Sequence, residues 1–196
     1  MIIFYVVFLF VEESLFQHKI KLIFEPRNRF DKVSQILQKI DKSMSSYIGL
    51  KSLVSLLTTT LSYFIMLAVG IDSPVFWAFL IFMFNFIPSI GPILGTLLPA
   101  LFCLIQFGTF TPALIVLFGV GGVSVLVGSL VEPKLMGNTL NISPLVAILS
   151  LALWGSIWGI IGMLLSVPIT VAMIIIFSQF PSTRSIAILL SEKGRV

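Results

Sequence analysis

From Ser52 to Thr183 the chain is almost continuously hydrophobic, and only Asp72, Glu132 and Lys134 carry formal charge there. Residues 73–131 and 135–183 carry none. Each run far exceeds the roughly 20 residues that take an α-helix across a hydrocarbon core about 30 Å thick. The period-two alternation of a membrane β-barrel is missing. The pattern therefore predicts an all-α, polytopic membrane protein.

Polar residues concentrate ahead of these runs. Residues 1–11 are apolar, too short to span, and stop at Glu12-Glu13. They lack the basic start and small-residue cleavage site of a signal peptide, so the expectation is the end of a truncated transmembrane helix. Residues 12–50 hold seven of the twelve Lys/Arg. Phe30, Val33, Leu37, Ile40, Met44 and Tyr47 recur there at steps of three and four, one face of an amphipathic helix, and Pro26 suits its start. By the positive-inside bias this basic arm is cytoplasmic, as is the tail 184–196 with Arg184, Lys193 and Arg195. Residues 51–183 form the expected transmembrane transport domain. Lys51 opens its first span and is placed to snorkel to the headgroups. Thr58, Thr59 and Thr60 are expected to bond back to their own helix, and 70–74 reads as a tight turn.

Two later segments share their punctuation. One begins at Ser73-Pro74, breaks over Asn85 to Pro92, and resumes through Gly95 and Pro99 to Phe107. The other begins at Ser143-Pro144, breaks around Trp154-Gly155-Ser156, and continues through Gly159, Gly162 and Pro168. As one straight helix each would be about 50 Å long, too much for one crossing and too little for two. Two Gly/Pro-broken or re-entrant helical hairpins fit that length. Non-helical backbone at membrane depth survives only where protein buries it or water lines it, and paired interrupted segments point to a transport site. The expected substrate path is therefore Asn85, Pro88, Gly91, Pro92 and Gly95 with Gly155, Gly159 and Gly162. The competing reading of Gly-x-x-x-Gly at 91–95 and 155–159 is close helix packing.

Between them, residues 112–131 make a glycine-rich span that runs into Glu132-Pro133-Lys134. A charged side chain at the bilayer centre costs about 2.5–3.5 kcal/mol on insertion scales, so such residues mark interfaces or polar sites. Pro133 is expected to end or kink the helix. Glu132 and Lys134, two residues apart, need that break to face a common space. One reading makes them an interfacial cap in water. In the other, Glu132 carries a proton or cation and Lys134 balances it.

Composition adds exclusions. With 58% apolar and 10% charged residues and a mean hydropathy of +1.13, a soluble globular domain is ruled out. Cys103, the single cysteine, permits no internal disulfide, and His18, the single histidine, has no partner at metal-ligand spacing. No enzyme, cofactor or metal site is expected. The basic residues near Arg27 and Arg29 lack the aromatic interleaving of a nucleic-acid surface, so anionic phospholipid is their expected partner.

The runs 85–95 (NFIPSIGPILG), 131–138 (VEPKLMGN) and 140–146 (LNISPLV), in that order, closely resemble the autoinducer-2 exporter family, the PerM-like permeases. The segment 40–48 and the glycine-rich stretch ending in Val167-Pro168 resemble it as well. The family's loop motif falls on Pro133, Gly137, Asn138, Asn141, Ser143 and Pro144. The resemblance implies about eight membrane segments, of which this chain matches the later portion. It also implies homo-oligomeric, pentameric assembly in the cell membrane, no catalytic chemistry, and export of autoinducer-2 or sodium(lithium)/proton antiport.

Three functions are open to these residues. The first is export of a small polar solute along Asn85 and the two breaks. The second is exchange of a monovalent cation for protons at Glu132. The third is a non-transporting scaffold that recruits partners through the basic arm.

Overall fold

Proline and glycine decide where this apolar chain starts, stops and doubles back. The computed structural model describes residues 27–136, 141–192 and 194. Contacts divide the chain into residues 1–41 and 42–196. In the first unit the described residues, 27–41, are helical; the expected truncated helix end and the start of the arm lie outside the described residues. The long apolar runs of the sequence belong to the second unit.

Helix α1 (Arg27–Val69) is followed by α2 (Pro74–Phe84), α3 (Ile90–Phe107) and α4 (Phe110–Leu126). A π turn (Val127–Val131) leads into α5 (Glu132–Met136), then α6 (Pro144–Ser178) and α7 (Arg184–Leu190). Among the described residues, four stretches are long and apolar enough to cross a membrane: Val33–Val69, Ile90–Phe107, Phe110–Met136 and Pro144–Ser178. The protein is an all-α polytopic membrane protein.

Helices α2 and α3 make the first hairpin. Pro74 starts α2, where its missing donor costs nothing. At 11 residues, α2 is about 16 Å long and falls well short of a crossing. The pair closes tightly: a Cβ added to Gly91 would lie 1.9 Å from the Phe84 carbonyl oxygen, and one on Gly95 would lie 3.5 Å from Ile81. Further along, Trp77 and Phe102 meet with ring centroids 5.1 Å apart. At the open end the Gln106 amide ties the two chain segments together, accepting from the Asp72 N–H (2.9 Å) and donating to the Gly70 carbonyl (3.1 Å).

The second hairpin is α6 itself. Gly159 takes φ 62° and ψ −138°, a region open essentially to glycine alone. The chain folds back there, so that a Cβ on Gly162 would lie 1.9 Å from the Trp154 carbonyl oxygen and one on Gly155 would lie 2.9 Å from Met163. The expected break at Trp154-Gly155-Ser156 is therefore displaced to Gly159. Those three residues stay helical because Gly155 is needed for close packing and Gly159 alone takes the turn conformation. At the base, the Ser143 N–H donates to the Leu190 carbonyl and the Glu192 N–H to the Asn141 carbonyl, each at 3.2 Å.

Helices α1 and α4 run antiparallel, since Ile65 meets Gly119 near one end and Lys51 meets Glu132 at the other. The first hairpin is entered from the Gly70 end of this pair and the second from the Glu132 end. The main core lies among α1–α4, with Met66, Cys103, Val116 and Val120 fully buried. Ser55 of α1 donates to the Phe82 carbonyl (2.8 Å), which fixes the tip of the first hairpin beside the lower half of α1.

Overpacking a tight core by even one methyl group costs about 1–3 kcal/mol, more against backbone. Gly91→Ala and Gly162→Ala should each open a hairpin and sharply reduce the monodisperse, detergent-soluble protein. Gly122→Ala, whose added Cβ meets nothing within 4 Å, should leave it unchanged. Size-exclusion chromatography with thermal unfolding reads both.

Candidate functional site

The tip of the first hairpin, the base of the second, α1 and the end of α4 surround a cleft of about 540 Å³. That is a usual size for a small-molecule site. Its walls are mainly apolar, and Tyr47, Lys51, Asn85, Ser89, Ser124 and Glu132 supply the polar groups.

An ion pair on its wall joins distant parts of the chain. The Lys51 ammonium donates to Glu132 Oε1 at 2.5 Å, with side-chain exposures of 8% and 25%. Lys51 therefore does not snorkel to the headgroups. It lies on the buried polar stripe Tyr47, Lys51, Ser55, Thr58 and Ser62, whose spacing of three and four places all five on one face of α1. Inside an apolar wall, the carboxylate lowers the cost of burying the ammonium.

Pro133 does not end the helix. The Glu132 N–H reaches back to the Val127 carbonyl in the π turn, and the helix continues through Met136. The wider π turn accommodates the proline ring where an α turn would clash. Because the helix continues, Lys134 points away from Glu132; it is exposed and does not line the cleft. The expected Glu132–Lys134 balance is thus replaced by Glu132–Lys51.

The expected backbone path also changes. Gly91, Pro92 and Gly95 are helical, and only 85–89 leave the helix. The N–H groups of Asn85, Phe86, Ile87, Ile90 and Gly91 all donate to carbonyls of the turn or of the end of α2, the local pairing that lipid demands of a backbone. A side chain is left free instead. Asn85 Nδ2 is buried and has no hydrogen-bond partner among the described residues, an arrangement that is rare in folded proteins.

Of the other expected residues, Pro88, Pro92, Pro133 and Pro144 line the cleft with Asn85 and Glu132. Gly91 and Gly95 hold α2 against α3. Gly155, Gly159 and Gly162 shape the turn of the second hairpin and do not line the cleft. Asn141 and Ser143 pair with the 190–192 segment, and Gly137 and Asn138 lie outside the described residues. Among the threonines, Thr58 and Thr60 bond back to Val54 and Leu56, whereas Thr59 Oγ1 is buried without a partner among the described residues. Sequence reasoning missed Tyr47, Lys51, Ser124 and Val167; the polar stripe on α1 was the available signal for the first two.

Removing one member of a buried pair leaves the other uncompensated, which costs about 3–5 kcal/mol, while removing both can be neutral. Glu132 is partly exposed, so Lys51→Met or Glu132→Gln alone should cost about 3 kcal/mol. The double variant should recover most of that loss, as unfolding in detergent would show.

Residues 1–182 match the AI-2E family transporter description. The AI-2 transport protein TqsA of Escherichia coli K12 is 36% identical over 159 residues, covering 81% of this chain and 46% of that protein. A Haemophilus influenzae protein named as a candidate transport protein is 33% identical over 188 residues, covering 95% of this chain and 54% of its own length. A Borreliella burgdorferi protein named in the same way is 38% identical over 155 residues, covering 79% and 43%. The chain thus spans about half the length of the curated relatives it matches. With its broken hairpins and its Glu132-Pro133-Lys134 and Asn141-Ile142-Ser143-Pro144 motifs, this chain belongs to the AI-2E transporter family, a family of membrane permeases.

Proposed function

We propose that the chain forms the solute-handling part of a permease that exports a small, neutral, hydroxylated solute of the autoinducer-2 type. The observation that carries this reading is Asn85 Nδ2, a buried donor with no partner among the described residues, on a cleft whose ionic charge is internally cancelled. A buried donor without a partner costs about 1–3 kcal/mol, which a solute hydroxyl or carbonyl would relieve on binding. A net charge would find no counter-ion there, because Lys51 and Glu132 already hold each other. The transport named for the E. coli relative agrees with such a cargo.

The cleft lies at the Lys51–Glu132 end of the α1/α4 pair, the end nearer the basic arm in sequence. By the positive-inside bias we place that end towards the cytoplasm, where a solute destined for export would enter. Assembly into a homo-oligomer, with a pentamer as the family's form, belongs to the same proposal. The cation/proton antiport reading needs Glu132 free to take an ion, and the ammonium of Lys51 already occupies it.

A net hydrogen bond contributes about 1 kcal/mol, close to a fivefold change in affinity. Asn85→Ala should therefore weaken half-saturation of autoinducer-2 export about fivefold in inverted membrane vesicles, and Lys134→Ala should leave it unchanged. Equal half-saturation in wild type and Asn85→Ala would refute this site.

A further inference from the structure

We propose that Lys51 sets the charge specificity of the cleft: its ammonium is a tethered cation that occupies the Glu132 carboxylate and keeps free monovalent cations out. This rests on the cleft being the solute site and concerns which solutes it admits. Lys51 and Glu132 are the only charged side chains lining the cleft among the described residues, and Nζ of one holds Oε1 of the other.

The carboxylate by itself is a cation site. It lines a mainly apolar cleft that carries a few polar groups, and its side chain remains 25% exposed. Ser124 and Tyr47 add oxygen atoms to the same walls, and a hard monovalent ion takes oxygen donors. Lys51 is 8% exposed and held on the buried face of α1. A group tethered beside its partner acts at an effective concentration of millimolar or higher without leaving for bulk solution. A free ion has to displace it, and the displaced ammonium has no other carboxylate on the cleft wall. The wild-type cleft is thus neutral overall and suited to uncharged solutes. Removing the ammonium converts the same walls into a cation site.

The test uses the full chain purified in detergent, with radiolabelled sodium as the probe. Lys51→Met should gain saturable sodium binding of about one ion per chain, absent from wild type and from Lys51→Arg. Lys51→Met combined with Glu132→Gln should lose it again. Thermal unfolding in sodium chloride against N-methylglucamine chloride supplies a second readout, in which sodium should raise the melting temperature of Lys51→Met alone. Glu132-dependent sodium binding by wild type overturns the inference, as does a folded Lys51→Met that binds none. So does failure of Lys51→Met to fold in either salt, since a free ion would then be unable to replace the ammonium. The assay contains no organic solute, so a negative result leaves the dependence of export on Asn85 untouched.

Discussion

A lysine and a carboxylate that meet inside an apolar wall hold α1 against α5, the continuation of α4 beyond the π turn, and the cleft is arranged around that tie. Neither charge is tolerable there alone, because removing an ion from water costs several kcal/mol after relaxation. Each is therefore confined to the place where the other is. The confinement fixes the end of the α1/α4 pair at which polar groups can gather. Tyr47, Asn85, Ser89 and Ser124 share that end.

The hairpins supply the concavity. Lipid demands that backbone N–H and C=O groups find partners within the protein, so a chain that turns inside the membrane must do so tightly. Both turns use the same device, a glycine whose missing side chain lets its backbone touch a carbonyl seven or eight residues earlier, Gly91 on Phe84 and Gly162 on Trp154. Because α2 is short, the first hairpin ends beside α1 and α4 without crossing to their far side. The space left beside its tip, walled by the base of the second hairpin, is the cleft.

Much of this was legible in the residues. Glycine and proline act on the backbone next to them, so the paired Ser-Pro starts and interruptions pointed to both hairpins directly. Asn85, Pro88, Glu132 and Pro144 were identified as site residues and do gather around one cavity. Less legible was which glycines open the chain and which close it. Gly91, Gly95, Gly155 and Gly162 look like breaks in sequence, yet they serve close packing, and the local pattern is the same for both. Pro133 was misleading for a related reason: a π turn ending two residues earlier absorbs its ring, and no residue preference announces such a turn.

Residue order alone settles the class of the protein, the presence of two interrupted segments, and the family to which it belongs. All of these depend on local composition and short-range spacing. The partner of Glu132 was decided by packing. Lys134 is two residues away and points elsewhere, while Lys51 is 81 residues away and makes the contact. A helix fixes where its neighbouring side chains point, but only the packing of one helix on another brings two distant charges within a hydrogen bond.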